Sequence, residues 1–283
     1  MAPRAARVGL RARPAGGGRG VARRGGAGGV TSSPPRLLVP GAALRPGALV
    51  PLPAEESRHV RARRLSEGDR VVLLDGSGAR AEAVLLPGRS AARVLVPLPA
   101  AGEPAAAVTV ALAVSDPSRV EWAVEKGTEC GAAAFLLFAA ARSQEAHLRA
   151  LSARLPRLRR VAAEATKQCD RTVVPRVDGP VPFRDVVSGA VRPVVALVPG
   201  AAPLMPGKRP GGTLVVGPEG GLDAEEAAAL AASGAALAGL GPRVLRLETA
   251  VVAGLVRLLW AEGGDPVFPS PPSDNIAAEG GAE

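Results

Sequence analysis

The sequence predicts an α/β protein with a mostly parallel sheet, preceded by a small β-barrel domain. Three observations support this fold class. Residues 34–100 contain short strand-like runs separated by proline and glycine, whereas from residue 106 onward continuous apolar runs alternate with helical segments. Hydrophobic residues make up 47% of the 283 residues, which is enough for a sizeable core. We therefore expect two domains joined by a linker.

The first predicted domain consists of short strands. An apolar run at 71–74 leads into the turn Asp75-Gly76-Ser77-Gly78, and further runs follow at 83–86 and 94–96. This order of strand, tight turn and strand is typical of a β-hairpin. Residues 97–104 (PLPAAGEP) are rich in proline and alanine, and we predict that they form the linker.

The second predicted domain alternates strands and helices, and its continuous apolar strands are typical of a parallel sheet buried on both faces. In the segment 146–165, apolar residues recur at spacings of three and four, which predicts a helix that Pro156 should kink or divide. The predicted strands lie at 108–114, 132–138, 194–198 and 213–217, with a short one ending at Leu240, and the helices at 120–128, 146–165, 223–233 and 248–262.

Positive charge is concentrated at the N-terminus. The formal net charge is +9, but residues 1–54 contain nine arginines and no acid, which leaves 26 basic and 26 acidic residues in the remainder. Residues 1–33 also lack a continuous apolar segment, a pattern typical of an organellar transit peptide, with a disordered RNA-binding arm as the alternative. We expect a chloroplast protein, with the mitochondrion as the alternative, and a disordered tail at 263–283.

Two classes of protein are disfavoured. No stretch approaches 18 uninterrupted apolar residues, which argues against a transmembrane helix. Cys130 and Cys169 are the only two cysteines, which is too few for a disulfide framework or a four-cysteine zinc site. We expect neither a membrane partner nor a metal.

A glycine-rich loop follows the strand predicted at 213–217. It reads Gly-Pro-Glu-Gly-Gly at 217–221, and the helix after it begins with Asp223 and Glu226 at capping-box spacing. Glycines let backbone N–H groups approach a ligand, and ligands bind at the carboxyl ends of parallel strands. The loop is therefore either a ligand site or a plain type I turn.

A second loop at 240–250 (LGPRVLRLETA) joins a short strand to the last helix. It contains Arg243, Arg246 and Glu248 in a position where a polar connection would suffice. These side chains either face a ligand, or Arg246 and Glu248 pair with each other as surface charges.

Together these loops resemble the hallmark segments of the RsmE family of ribosomal RNA small-subunit methyltransferases, in the SPOUT superfamily. The family has Gly-Pro-Glu-Gly-Gly followed by a glutamate, here Glu226, and a Leu-Gly-x-Arg-hydrophobic-Leu-Arg-x-Glu-Thr-Ala segment, here 240–250. Three further similarities occur in the family's order: Arg64 to Asp69 with Leu74-Asp75-Gly76, then Lys126 with Glu129, then Gln168, Arg171 and Pro175.

The resemblance implies a SPOUT-type trefoil-knotted sheet at 106–262, preceded by a PUA-like β-barrel RNA-binding domain at 34–100. It also implies S-adenosylmethionine as cofactor and methyl transfer to N3 of a uridine, either in small-subunit ribosomal RNA or in the assembling small ribosomal subunit. A homodimer with its active site at the subunit interface is implied as well. The apolar stripe of the last helix either forms that interface or packs on its own sheet; it comprises Val252, Leu255, Val256 and Leu259.

The resemblance places the cofactor in both loops, at Gly217, Glu219, Gly220, Gly221, Leu240, Gly241, Leu245 and Arg246. Because N3 of uracil carries a proton, the reaction needs a base or a cation that stabilises the uracil anion. We expect Arg246 to stabilise that anion and Glu248 to accept the proton or to orient Arg246. The target base must be single-stranded or extruded.

RNA phosphates are expected to contact arginines in both domains. The predicted RNA-binding residues are Arg61 and Arg64, within a cluster that includes Arg58 and Arg63, together with Arg142 and Arg171. Two alternatives stay open at this point. One is a non-catalytic RNA-binding ribosome-assembly factor that keeps the fold, and the weaker one is a transfer RNA methyltransferase of the same superfamily.

Overall fold

A computed structural model describes residues 34–205 and 211–259. The predicted leader at 1–33 and the predicted tail at 263–283 lie outside the described residues. Within the described ranges the chain forms two sheets, one of five strands and one of six. No helix in these ranges has both the length and the apolarity that a membrane span requires.

The five-stranded sheet forms the first domain, in the spatial order β1-β3-β4-β5-β2. The predicted hairpin is present, and its turn is held by the Asp75 carboxylate, which accepts hydrogen bonds from the backbone N–H groups of Ser77 (2.8 Å) and Ala79 (2.9 Å). β1 is parallel to β3, and the other pairs are antiparallel. The strands are β1 (Arg36–Leu38), β2 (Leu49–Pro51), β3 (Arg70–Leu74), β4 (Arg80–Leu85) and β5 (Ala91–Leu98).

Two features of this domain differ from expectation. β5 continues to Leu98, so Pro97 and Leu98 pair with β4 rather than belonging to the predicted linker. A helix, α1 (Ala54–Ala62), also lies within a region predicted as β-like. Because α1 buries only Glu56, Ser57 and Val60, its sequence lacks an apolar stripe that would have predicted a helix.

The six-stranded sheet is parallel throughout, which confirms the predicted α/β class. Its spatial order is β11-β9-β10-β6-β7-β8. Every residue of β9 and β10 is buried, as their continuous apolar runs indicate. The strands are β6 (Val108–Ala113), β7 (Ala134–Ala139), β8 (Arg176–Pro182), β9 (Val194–Leu197), β10 (Gly212–Val216) and β11 (Ala236–Ala238).

Helices cover both faces of this sheet. One apolar cluster joins the sheet to α2, α3 and α6 through residues such as Val124, Leu158 and Leu255, and a second joins it to α4 and α5 through Val186 and Leu230. The helices are α2 (Pro117–Glu129), α3 (Glu145–Gln168), α4 (Phe183–Gly189), α5 (Ala224–Ala232) and α6 (Leu247–Leu259).

In the second domain, the helix predicted around Pro156 differs from expectation, and two elements, β8 and α4, have no predicted counterpart. α3 runs from Glu145 to Gln168 without division, because Leu151 and Leu158 are buried on either side of the proline and anchor both halves to the core. β8 contains glycine and two prolines, and α4 has only seven residues, so neither gave a recognisable pattern.

The two sheets are joined by ion pairs at the carboxyl end of α3. The Lys167 ammonium lies 2.7 Å from the Glu56 carboxylate of α1, and both side chains are buried. Asp170 accepts from Arg36 at 2.7 Å and pairs with Arg80 at 3.2 Å. These contacts fix the small domain against the end of α3.

Candidate cofactor-binding site

The two predicted loops line one pocket. It lies where β9, β10 and β11, which are neighbours in the sheet, reach their carboxyl ends, and it encloses about 610 Å³ of empty space that is partly open to solvent. This is the edge of a parallel sheet at which ligands are expected. The lining residues named in the prediction are Gly217, Glu219, Gly221, Leu240, Gly241 and Leu245.

Two predicted cofactor residues, Gly220 and Arg246, lie beside the pocket rather than in its lining. The Gly220 carbonyl accepts a hydrogen bond from the Arg142 guanidinium, so Arg142, predicted as an RNA contact, reaches the glycine-rich loop. Arg246 is exposed, and its side chain makes no hydrogen bond or ion pair within the described residues.

The lining also contains residues outside the predicted cofactor-binding set. Val198 and Pro199 follow β9 and form one wall, and Arg243 and Val244 belong to the second loop. Val198 is the last residue of a predicted strand, which was a signal in the sequence that it could contact a ligand. What the sequence did not contain was the neighbour relation between β9 and β10.

The local sequence accounts for the shape of the glycine-rich loop. A Cβ atom on Gly217 would lie 2.9 Å from the backbone nitrogen of Leu222, so the turn closes only around glycine. Gly221 has φ +70°, in the left-handed region that glycine adopts readily. The loop therefore keeps its backbone close to the pocket.

The predicted capping box is confirmed, and it has a further partner. The Asp223 carboxylate accepts from the Glu226 backbone N–H at 2.7 Å, and the Glu226 carboxylate accepts from the Asp223 N–H at 3.0 Å. Glu226 also accepts from the Ala141 N–H, after β7, at 2.8 Å. A single buried carboxylate thus fastens the glycine-rich loop to the loop that carries Arg142.

A charged cluster connects the two pocket loops. The Arg119 guanidinium of α2 lies 3.4 Å from the Glu219 carboxylate and 3.6 Å from the Glu248 carboxylate. Ser115 also donates a hydrogen bond to Glu219. Glu248 therefore pairs with Arg119 and not with Arg246, and neither Ser115 nor Arg119 had an assigned role in the sequence prediction.

Glu248 retains one unused oxygen. Its side chain is largely buried, and Oε2 has no hydrogen-bond partner within the described ranges. A buried carboxylate oxygen without a partner is costly, and a donor on a ligand would relieve that cost. The arrangement can thus accept a proton or a hydrogen bond close to the second loop.

The predicted RNA-binding arginines have different environments. Arg61, on α1, and Arg64, just after it, are exposed, and neither forms an ion pair with any described residue. α1 contacts the carboxyl end of α3 through Lys167, whereas Arg142 lies just before the amino end of α3. A helix of 24 residues spans about 36 Å. The arginine cluster and the pocket of one chain thus lie at opposite ends of α3.

The prediction that Arg171 contacts phosphate is wrong. Its side chain is only 3% exposed and donates to the Glu103 carboxylate at 2.8 Å and to the carbonyls of Thr128 (2.9 Å) and Ala132 (2.8 Å). The guanidinium satisfies backbone groups inside the fold and cannot reach RNA. Arg171 is a structural arginine.

Other candidate chemistry is limited. No group of three His, Cys, Asp or Glu side chains with metal-binding geometry occurs among residues 34–205 and 211–259. Burial raises the pKa of the Cys130 thiol and of the Cys169 thiol, which disfavours the reactive thiolate of both.

Family models match both parts of the chain. An RNA methyltransferase domain matches residues 102–259, and an RNA methyltransferase PUA domain matches residues 52–95. Among curated proteins, the ribosomal RNA small subunit methyltransferase E of Mycobacterium bovis is 35% identical over 229 residues, covering 74% of this chain and 85% of the relative.

Solved structures show the same similarity. A ribosomal RNA small subunit methyltransferase E from Neisseria gonorrhoeae, bound to S-adenosylmethionine, has a TM-score of 0.73 at 26% identity and covers 79% of this chain and 95% of that one. A Legionella pneumophila methyltransferase in complex with the same cofactor has a TM-score of 0.71 at 26% identity, covering 79% and 96%.

Proposed function

Because the chain belongs to the ribosomal RNA small subunit methyltransferase E family, we propose that it transfers a methyl group from S-adenosylmethionine to N3 of a uridine in small-subunit ribosomal RNA. The observation that carries the proposal is the single pocket formed by the two loops, 217–221 and 240–246. An assembly factor without catalytic function would not need both loops to be intact around one cavity.

The lining of the pocket fits the cofactor in its chemistry. Leu197, Val216 and Leu245 provide apolar surface for an adenine ring, and Glu219 provides an acceptor for a cationic or hydroxyl group. When bound, S-adenosylmethionine supplies an electrophilic methyl group on a sulfonium.

Residues of the protein are proposed to remove the N3 proton and to stabilise the anion that results. N3–H loses its proton to an acceptor, for which we propose the Glu248 carboxylate, since one of its oxygens has no partner in the described part of the chain. The N3 electron pair then forms the bond to the methyl carbon as the carbon–sulfur bond breaks. Arg246, exposed beside the pocket, would stabilise the negative charge that develops on the uracil carbonyls.

RNA binding is proposed to use Arg61, Arg64 and Arg142. All three are exposed, and Arg142 lies against the glycine-rich loop. Because phosphate contacts position RNA without reading its sequence, these residues would hold the strand while the target uridine is extruded toward the pocket.

We also propose a homodimer that forms through α6, and a trefoil knot at the two pocket loops. Val256 of α6 is 40% exposed, and Val252 is partly exposed, which leaves an apolar strip facing outward. Leu255 is fully buried and Leu259 packs against the core, so these two residues serve the chain's own fold. The family resemblance is the support for the knot, because knots are otherwise nearly absent from proteins.

The N-terminal residues 1–33 are proposed to direct the protein to an organelle, the chloroplast or alternatively the mitochondrion. Their high arginine content and lack of acidic residues support this. A fusion of residues 1–54 to a fluorescent protein should accumulate in one of these organelles, and a purely cytosolic signal would contradict the proposal.

Nucleoside mass spectrometry tests the proposed reaction. The purified full chain is incubated with S-adenosylmethionine and with either naked small-subunit RNA or partly assembled small subunits. We expect 3-methyluridine in at least one of the two. Methylation at another atom would contradict the N3 assignment, and the absence of saturable cofactor binding in calorimetry would contradict the enzymatic function itself.

A further inference from the structure

The cluster around Arg119 joins groups that are far apart in the sequence. Arg119 belongs to α2, Glu219 to the loop after β10, and Glu248 to the first turn of α6. The side chain of Arg119 is 33% exposed, so its ion pairs with the two carboxylates are partly shielded from water. No other described residue forms ion pairs with both pocket loops.

We infer that Arg119 is a positioning residue for methyl transfer, which holds the Glu219 loop and the Glu248 carboxylate at a common site. The inference rests on the proposed function, since Glu219 lines the proposed cofactor pocket and Glu248 is the proposed proton acceptor. The Arg119 guanidinium is paired with these two carboxylates, so it acts through them rather than on the substrate.

Electrostatics explains why a cation is needed at this position. Two carboxylates that converge without a cation between them repel each other, and this repulsion would move the two loops apart. The guanidinium presents donors in a fixed planar fork, so Nε can face Glu219 while Nη1 faces Glu248. Ser115 further fixes Glu219 through its hydroxyl group.

Helix α2 is suited to hold this cation in place. Its first turn is capped by the Asp116 carboxylate, which accepts from the Ser118 N–H at 2.9 Å. On the following turns Val120, Ala123 and Val124 are fully buried in the core. Arg119 therefore projects from a rigid helix, while Glu219 belongs to a loop that must accommodate a ligand and Glu248 lies in the first turn of the helix directly after the second loop.

The test compares Arg119→Gln with Arg119→Lys in the full chain. Calorimetry measures the dissociation constant for S-adenosylmethionine, and steady-state kinetics measure KM and kcat. Loss of two partly exposed ion pairs corresponds to about a three- to tenfold weaker binding. We expect Arg119→Gln to raise the dissociation constant by that factor and to lower kcat as well, with Arg119→Lys recovering part of both, because it retains the positive charge but not the planar fork.

Arg149→Gln is the matched control, because Arg149 forms a single exposed ion pair with Glu145 on α3, outside the pocket lining. It should leave both measurements unchanged, and the melting temperature of all three variants should stay within a few degrees of the original chain. If Arg119→Gln binds the cofactor as tightly as the original chain, or if Arg119→Lys is as impaired as Arg119→Gln, the inference is overturned. If the original chain itself does not bind the cofactor, the proposed function fails instead.

Discussion

At the scale of single residues, Arg171 and Arg246 show how one side chain type takes opposite roles. Arg171 is buried, and its donors go to Glu103 and to two backbone carbonyls. Arg246 is exposed beside the pocket without an ion pair among the described residues. Both lie in segments that resemble the family, so the motif alone did not distinguish an interior arginine from one that is exposed beside the pocket. Burial distinguishes them.

Replacing Arg246 with alanine should abolish methylation. If its guanidinium stabilises the uracil anion, removal of this charge is expected to lower kcat by about a hundredfold to a thousandfold. Transfer of the methyl group from S-adenosylmethionine to small-subunit RNA measures the effect, with Arg149→Ala as an active control. Because Arg246 is exposed, the variant should keep its oligomeric state and melting temperature. Undiminished turnover would remove Arg246 from the mechanism.

The exposed arginines on α1 and just after it, which form the α1 cluster, should contribute to RNA affinity and not to the stability of the fold. We expect the double variant Arg61→Ala with Arg64→Ala to bind small-subunit RNA more weakly and to reduce the slope of log affinity against log salt by about 1 to 2. Titrations at several salt concentrations measure this slope. Arg184→Ala is the control, since Arg184 is 86% exposed on α4. Equal slopes for all three proteins would exclude the α1 cluster as a phosphate site.

Glu103 should make stability depend on pH in the acid range. Burial by itself would raise the pKa of the Glu103 carboxyl, but hydrogen bonds from Arg171 and from the N–H groups of Val173 and Thr172 outweigh burial and lower that pKa below its ordinary value of 4.5. The folded carboxyl thus binds a proton less readily than the unfolded one. Its stabilising contribution is complete above pH 4.5 and is lost as the pH falls through the lower, folded value.

Urea denaturation between pH 7 and pH 3 checks this expectation. The free energy of unfolding of the original chain should fall below about pH 4.5, and Glu103→Gln should be less stable at pH 7 but lose less of its stability on acidification. Identical pH profiles for the two proteins would show that another group determines acid sensitivity.

At the scale of secondary-structure elements, continuous apolar runs in the sequence correctly predicted the buried strands of the parallel sheet. The buried strands β6, β7, β9 and β10 lie close to their predicted positions, because a strand buried on both faces needs an unbroken apolar run. α1 was missed because charged residues cover most of its surface. Pro156 was expected to interrupt α3, but packing of the residues around it outweighs the hydrogen bond that proline cannot make.

Replacing Glu226 should lower the free energy of unfolding more than replacing Asp223, the residue that caps α5. Asp223→Ala removes one helix cap, which costs about 1 kcal/mol. Glu226→Ala leaves the N–H groups of Asp223 and Ala141 without their acceptor, so its cost should be about 2–3 kcal/mol. Chemical denaturation of both variants measures the difference. A smaller loss for Glu226→Ala than for Asp223→Ala would contradict the second role of Glu226.

At the scale of the whole molecule, the proposed dimer depends on the outward strip of α6. Val256→Asp would place a charge in that interface and should convert the dimer to a monomer at micromolar concentration. Light scattering coupled to size-exclusion chromatography measures the mass. Val191→Asp is the control, because Val191 is 62% exposed on the loop before β9. A variant of Val256 that stays dimeric, or an original chain that is monomeric, would contradict the proposed interface.

Patterns within the sequence were sufficient to predict the fold class, the order of the two domains and the two loops at which the pocket forms. Each of these follows from local patterns: apolar runs, glycine at tight turns, and capping-box spacing. The folded chain was needed to show that β9 lies beside β10 and adds Val198 to the pocket, that Arg171 is interior, and that Arg119 faces both Glu219 and Glu248. These facts depend on contacts between residues up to about a hundred and thirty positions apart, and no local pattern in a single sequence records which distant segments become neighbours.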